Sequence, residues 1–382
     1  MNKKRFSTIA SILFLVMIFG AFLGNLLLPD RTFSADENRI LASRPSFSIS
    51  KYLEGRFETG AEDYANDQFM FRKGFIRLKS ALDVTEGQLE AKGVYRCRDH
   101  YLMEDIKTPG AHFQYTENGL KQFRREYRGL NMYFLLAPNA ANILSDKLPL
   151  TVRTADQNAL MDSFYSRMKS CGYQTIDVRD TFRENKDQVQ LYYRTDHHWT
   201  SDGAYLAYKK AAKAMKLDNV LEYDGYVVKK NFRGTLYSTS GFANGRDDEI
   251  KIYMPSDSSK FENSVIYYSD TKKKTTRFYR LNNLKKKDAY TVFGGSNHPL
   301  YTIQTPVKSN KTLLVIKDSY ANSFIPFLSQ SYRKIVVVDP RYCYDDIDDI
   351  IEANGVNEIL FLYNCNTFME DDSLEMMLSD QG

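Results

Sequence analysis

The stretch TDHHWTSDGAY, Thr195 to Tyr205, sets an aspartate, two of the chain's five histidines and its only tryptophan in a row. These residue types support three kinds of chemistry: metal ligation, base assistance to a hydrolytic nucleophile, or a packed polar loop. A serine hydroxyl is a weak nucleophile at neutral pH. It needs a base, most often His, whose tautomer a carboxylate fixes. Asp196 supplies the carboxylate, and either His197 or His198 can supply the base.

The matching serine is expected where a buried strand meets a helix. TLLVIKDSYANSF, Thr312 to Phe324, offers that junction: an apolar run ends at Lys317, Asp318 and Ser319 follow, and a helix begins. Open α/β sheets bind ligands at the carboxyl ends of their strands. The unpaired N–H groups of a first helical turn also stabilise negative charge on an oxygen. The competing reading is that Asp318 or Ser319 is only an N-cap. A further oxyanion donor should come from another strand end. Asn139, in LLAPNAAN, is the first candidate and Asn364, in LFLYNCN, the second, though both are also ordinary turn residues. Tyr320, Trp199 and His197 complete the set of candidates for oxyanion or substrate contact.

Asp-His-His also occurs in two-metal phosphoesterases, which require several more Asp or His ligands at strand ends. His100, His112 and His298 stand in unpromising contexts, so neither a metal nor a cofactor is expected. The four cysteines, Cys97, Cys171, Cys343 and Cys365, have no metal-knuckle spacing. Their pairing is not legible from sequence.

The positioning elements follow from periodicity. Residues 55–90 are expected to be helical and 93–103 to form a hairpin. From 118 the pattern alternates: helix at Asn118–Tyr127, buried strand at Asn131–Ala137, helix at Gln157–Met168, strand at Gln174–Val178, helix at Ser201–Ala214 with Ser201 as N-cap. Strands at 312–317, 334–339 and 358–363 each precede a helix. Such alternation predicts a parallel sheet covered on both faces. Between about 220 and 310, short alternating runs including TRFYRL and AYTVFG are separated by turn residues and predict a β-rich insertion.

MNKKRF is followed by an uncharged run from Phe6 to Pro29. About 20 apolar residues cross a bilayer core, and the basic flank predicts a cytoplasmic N-terminus. An uncleaved signal anchor is expected rather than a cleaved signal peptide, and either exports the rest of the chain. The organisation expected is therefore a cytoplasmic tip and anchor at 1–29, a spacer and extension at 30–117, and a catalytic domain at 118–382. The net charge of +4 is mild, and basic residues cluster only at Lys272–Lys274 and Lys285–Lys287. No nucleic-acid-binding face is expected. Aromatics, at 14%, fit both core packing and sugar contact.

TDHHW, a following small-residue helix and a later strand leading into KDSY resemble the DHHW family and, more broadly, the SGNH-hydrolase-like polysaccharide O-acetyltransferases of the alginate type. ENRILASRP (Glu37–Pro45), NDQFMFR (Asn66–Arg72) and FRGTLYS (Phe232–Ser238) extend the resemblance over most of the exported chain. It implies an SGNH-like α/β fold, an Asp-x-His-Trp motif supplying acid and base, and a later Asp-Ser motif supplying the nucleophile. Matched residue by residue, these are Asp196, His198 and Ser319, with His197 at the variable position. Lys317 departs from the pattern, which has Gly before the Asp. The activity implied is extracytoplasmic acetyl transfer to a polysaccharide hydroxyl, with a membrane-bound O-acyltransferase as the acyl donor. Removal of such groups by water, a non-catalytic glycan-binding scaffold and a metal phosphoesterase are the alternatives.

Overall fold

The computed structural model describes residues 3–34, 39–243, 245–257, 259 and 263–379. Glu37 and Asn38 of ENRILASRP lie outside them. Two compact units form, one of Met1–Gln88 with Ser238–Ala243, the other of Leu89–Tyr237 with Asn244–Gly382. The second unit takes in 89–117, which the sequence pattern assigns to the N-terminal extension.

The first unit opens with α1, Lys3–Leu27. Its Ser7–Asn25 window has mean hydropathy 2.2, and none of it is buried. By length and composition it can cross a bilayer, and a signal sequence has the same character. A two-stranded ribbon follows, β1 (Phe33–Ser34) with β2 (Arg39–Ile40). Then come α2 (Ile49–Leu53), α3 (Arg56–Gln68) and α4 (Arg72–Thr85). The helix expected over 55–90 is thus two helices. α3 ends at Phe69, whose ψ of 127° leaves the helix, and α4 starts after Phe71, whose φ of 64° is left-handed. Gln68 ties α3 to the preceding chain: its Oε1 accepts from the Arg31 amide at 2.9 Å and its Nε2 donates to the Ala42 carbonyl at 3.1 Å.

The second unit begins with an antiparallel meander of β3 (Glu90–Ala91), β4 (Val94–Arg96) and β5 (Leu102–Glu104). The main sheet uses β6 (Asn131–Ala137), β7 (Gln174–Thr175), β10 (Val265–Tyr268), β11 (Lys274–Thr275), β12 (Leu300–Gln304), β13 (Thr312–Lys317), β14 (Lys334–Val338) and β15 (Glu358–Asn364). Its order is β11-β10-β12-β14-β13-β15-β6-β7. The strands β14-β13-β15-β6-β7 are parallel. Every residue of β13 and β15 is buried, as the unbroken apolar runs require of a strand covered on both sides. Alternation sends Leu313 and Val315 to one face, with Trp199, Tyr208 and Phe324. Leu314 and Ile316 go to the other, with Phe123, Phe164 and Phe368. Each such side chain, taken from water, contributes about 1.5–3 kcal/mol.

Two expectations need correction. The stretch 220–310 is not wholly an insertion. β8 (Tyr223–Phe232) and β9 (Asp248–Pro255) pair as a separate ribbon, but β10, β11 and β12 extend the main sheet as its antiparallel edge. Local alternation marks a half-buried strand but carries no information on its pairing partner. Within it TRFYRL makes only the bridge Tyr279–Phe293, and AYTVFG begins as a 3-10 turn, Ala289–Val292. The helix Ser201–Ala214 is capped by Thr200 instead of Ser201. The Thr200 hydroxyl accepts from the Gly203 amide at 3.2 Å, while the Ser201 hydroxyl donates to the Lys251 carbonyl at 2.6 Å.

Candidate active site

Residues 191–200 turn back on themselves. Tyr192 and Trp199 form an antiparallel bridge, and the Tyr193 amide donates to the His198 carbonyl at 3.2 Å. Buried Asp248 holds the base of this loop: its carboxylate accepts from the amides of Arg194 at 2.9 Å and Thr195 at 2.8 Å, and from the Thr195 hydroxyl at 2.6 Å. At the tip, Asp196 Oδ1 accepts from the His198 amide at 3.0 Å and lies 2.6 Å from His198 Nδ1. Asp196 Oδ2 accepts from the Thr235 amide at 2.9 Å and the Thr235 hydroxyl at 3.2 Å. The chain can come this close only because residue 234 is glycine: a Cβ there would sit 2.2 Å from Asp196 Oδ2.

His198 Nε2 lies 2.8 Å from Ser319 Oγ. The Tyr290 ring stacks on the His198 imidazole, centroids 3.7 Å apart and 13° from parallel. The Tyr290 hydroxyl donates to the Ser319 carbonyl at 3.1 Å. One tyrosine thus braces both partners of the His–Ser contact.

Ser319 opens the 3-10 turn Ser319–Ser323 directly after β13. Asp318 is the cap. Its Oδ1 accepts from the Tyr320 amide at 2.9 Å and its Oδ2 from the Asn364 amide at 2.8 Å. The serine hydroxyl is therefore not spent on capping. Asp318 is extended, with φ −105° and ψ −169°, so the junction asks for no glycine geometry. Lys317 is accommodated without strain, its ammonium donating to buried Asp339 at 3.0 Å.

The electrostatics separate the two titrating groups. Burial pushes His198 down to about 4, helped by the neighbouring His197 charge and opposed by Asp196. Burial would raise the Asp196 carboxyl, but the charges of His198 and His197 and the bonds from His198 and the Thr235 amide outweigh it and hold it well below the usual range. At neutral pH this gives an ionised carboxylate hydrogen-bonded to a neutral imidazole whose other nitrogen faces a hydroxyl. Such an arrangement can take a proton from Ser319 and hold it next to a negative charge.

The other candidates divide. Asn139 and Asn364 are both buried, and Asn139 Nδ2 donates to Asn364 Oδ1 at 3.3 Å. Gln157 Nε2 donates to Asn139 Oδ1 at 2.8 Å. Both ends of the Asn139 amide are therefore occupied. Asn364 Nδ2 is buried without a hydrogen-bond partner, at the carboxyl end of the strand adjoining β13. Trp199 and Tyr320 are buried core residues. The indole N–H of Trp199 donates to the Tyr320 carbonyl and to Ser323 Oγ, each at 3.0 Å. The Tyr320 hydroxyl donates to the His197 carbonyl. Together they fasten the loop carrying His198 to the turn carrying Ser319. His197 Nδ1 is 2.7 Å from Thr235 Oγ1.

Asp196, His197 and His198 also bring one ligand atom each within 4.8 Å of one another, close enough to share a metal. Those atoms are engaged by Ser319, by Thr235 and by each other. A metal would have to break these contacts, so the donor set fits a proton relay better. Sequence reasoning missed Tyr290 and Asp248, which have no local signature. Gly234 and Thr235 stand inside FRGTLYS, a stretch singled out with no role attached. All four cysteines are free thiols, and Cys343 and Cys365 are buried.

Residues 100–246 match the profile of the SGNH hydrolase-like domain of acetyltransferase AlgX. The match contains Asp196 and His198 and ends before Ser319. A probable alginate O-acetylase AlgJ from Pseudomonas aeruginosa is 24% identical over 191 residues, 48% of this chain and 49% of that protein. The chain thus spans about half the length of the first curated relatives it matches. A DHHW family protein from Eubacterium siraeum has the same fold, with TM-score 0.64 and 20% identity over 76% of this chain and 96% of that one. So does PatB1 of Bacillus cereus carrying a sulfonyl adduct, with TM-score 0.60 and 21% identity over 74% of this chain and 98% of that one. Residues 100–246 are thus similar to the SGNH hydrolase-like domain of acetyltransferase AlgX, and the chain shares the fold of the DHHW family protein.

Proposed function

We propose that this protein transfers an acetyl group to a hydroxyl of an extracytoplasmic polysaccharide through Ser319, His198 and Asp196. The observation that carries the reading is the unbroken relay from Ser319 Oγ to His198 Nε2 at 2.8 Å and from His198 Nδ1 to Asp196 Oδ1 at 2.6 Å. Ser319 Oγ attacks the carbonyl carbon of the donor ester as its proton passes to His198 Nε2. The leaving group departs with that proton, and the acetyl stays on Ser319. A sugar hydroxyl then attacks the acetyl carbon and gives its proton to His198, which returns it to Ser319 Oγ as the bond from Ser319 to the acetyl carbon breaks. Asp196 keeps the imidazole in the accepting tautomer and balances the imidazolium between steps. The Ser319 amide, at the start of its turn, and Asn364 Nδ2 are the oxyanion donors. The relatives named as alginate O-acetylases support a polysaccharide acceptor. With α1 as a membrane anchor, the catalytic unit sits outside the cytoplasm, and a membrane-bound O-acyltransferase delivers the acyl group.

The test incubates purified protein with an activated acetyl ester, with and without an oligosaccharide acceptor, beside Ser319→Ala. An acetyl adduct seen by intact mass in the parent and absent in the variant supports the reading. Appearance of acetylated sugar in place of acetate makes the product a transfer product. No adduct in either protein would sink it.

A further inference from the structure

The first unit carries an apolar surface that the transfer chemistry does not use. On α4, Phe75, Leu78 and Leu82 are each more than half exposed, and Phe71 at the N-cap is exposed as well. Their spacing places them on one stripe of the helix. The opposite side of α4 is occupied: the Ser80 hydroxyl donates to the Ser240 carbonyl at 3.1 Å, and Ile76 lies against Gly241. The helix is basic by sequence, with Arg72, Lys73, Arg77 and Lys79 against Asp83.

The place of this stripe is fixed by contacts inside the same unit. The Met70 amide donates to Asn25 Oδ1 at 2.6 Å, and Asn25 is the last residue of the apolar window of α1. The Met70 side chain fills the space beside Gly24, where a Cβ would come within 2.5 Å of its methyl. The start of α4 is therefore joined to the end of the membrane-spanning segment. A helix leaving that point has its first turns at the depth of the lipid headgroups. An exposed apolar stripe with basic residues on the same helix is the composition that lies in such a layer.

We infer that α4 is an interfacial helix, with Phe71, Phe75, Leu78 and Leu82 seated in the headgroup–acyl boundary of the leaflet where α1 emerges. The inference rests on the reading of α1 as an anchor. Its occupant is the lipid surface itself, with a preference for anionic headgroups.

The native sequence supplies a clean probe, because its one tryptophan, Trp199, is fully buried. The full chain is reconstituted in phosphatidylcholine–phosphatidylglycerol vesicles, with or without bromines on the acyl chains, as Leu78→Trp, Leu82→Trp and, in α1, Phe14→Trp. Quenching of the tryptophans at 78 and 82 by about twofold or more, stronger with bromines near the headgroup than deep in the chain, is expected. Quenching at 14 without quenching at 78 and 82 overturns the inference and leaves the anchor standing. Absence of quenching at all three positions removes the anchor, and the inference with it.

Discussion

Two buried charge clusters sit at the carboxyl end of the same sheet and are built to opposite ends. In one, Asp339 is fully enclosed and takes Lys317 at 3.0 Å and Arg341 at 2.9 and 2.7 Å. Both of its oxygens are matched with Lys or Arg, and Lys317 is itself buried. In the other, Asp196 is matched with an imidazole that burial keeps neutral and that still reaches a hydroxyl. In the first cluster both carboxylate oxygens are taken up by cations. The second has a place for one more proton. Burial of charge alone does not mark a reactive site. What marks it is a group whose preferred protonation state leaves one hydrogen-bonding position for a reacting atom.

Substitutions can break this contrast. Ser319→Ala should lower acetyl turnover by a factor on the order of 10⁴, with the thermal midpoint close to the parent's. Asp196→Asn should cost on the order of 10³–10⁴ in turnover by favouring the wrong tautomer, read from steady-state rates on an activated ester. Asp339→Asn should do the reverse. By leaving Lys317 buried without its counter-charge it should cost about 3–5 kcal/mol of stability in urea unfolding, with turnover below the transition within a few-fold of the parent. If Asp339→Asn lost activity at full stability, the first cluster would be part of the chemistry and the contrast would fail.

Gly234→Ala sharpens the same point. Its methyl has no room beside the Asp196 carboxylate, so the carboxylate must shift, and turnover should fall on the order of 10²-fold. Ala at the unconstrained Gly129 is the control and should be silent. The acid limb of the pH–rate profile gives the next test. His198 must be neutral to accept a proton, and burial holds it down to about 4. Activity should therefore persist below pH 6.5, the ordinary histidine midpoint, and fall only as the pH approaches about 4. Because this His binds its proton less readily folded than unfolded, its neutral form favours folding above the ordinary midpoint, and that contribution is lost as the pH drops towards about 4. The smallest effect links the clusters. The Arg341 charge helps to lower His198, so Arg341→Gln should move the acid limb upward by a fraction of a pH unit.

The sequence reading succeeded where the signal is local. The strands at Asn131–Ala137 and Thr312–Lys317 and the helix Ser201–Ala214 have the bounds that their apolar patterns predict. A run buried on both sides has no polar positions to blur its ends. The edge of the sheet was not legible, because β10, β11 and β12 alternate as any half-buried strand does and their partners are decided by the fold. At the site, TDHHW and KDSY stood out by composition, whereas Tyr290 is one tyrosine among 27. Nothing in AYTVFG indicates that its ring lies on His198. Trp199 drew attention for its rarity, yet its indole is a fastener inside the core. Asn139 and Asn364 are legible only as two separate oxyanion-donor candidates or turn residues, and the parallel register of β6 and β15 brings them into one amide network.

The sheet order has a consequence in time. Asp196 and His198 are two residues apart, so their contact is available as soon as the loop exists, whereas Ser319 is 121 residues further along. Its strand, β13, is flanked by β14 and β15, both later in the chain. A chain emerging N-terminus first carries the proposed base long before the proposed nucleophile. The strand before Ser319 then has no partner on either side until β14, and no link to β6 until β15, has appeared. The contact between His198 and Ser319 is therefore assembled by the last third of the polypeptide, and chains that stop short of it hold Asp196 and His198 without the hydroxyl they face.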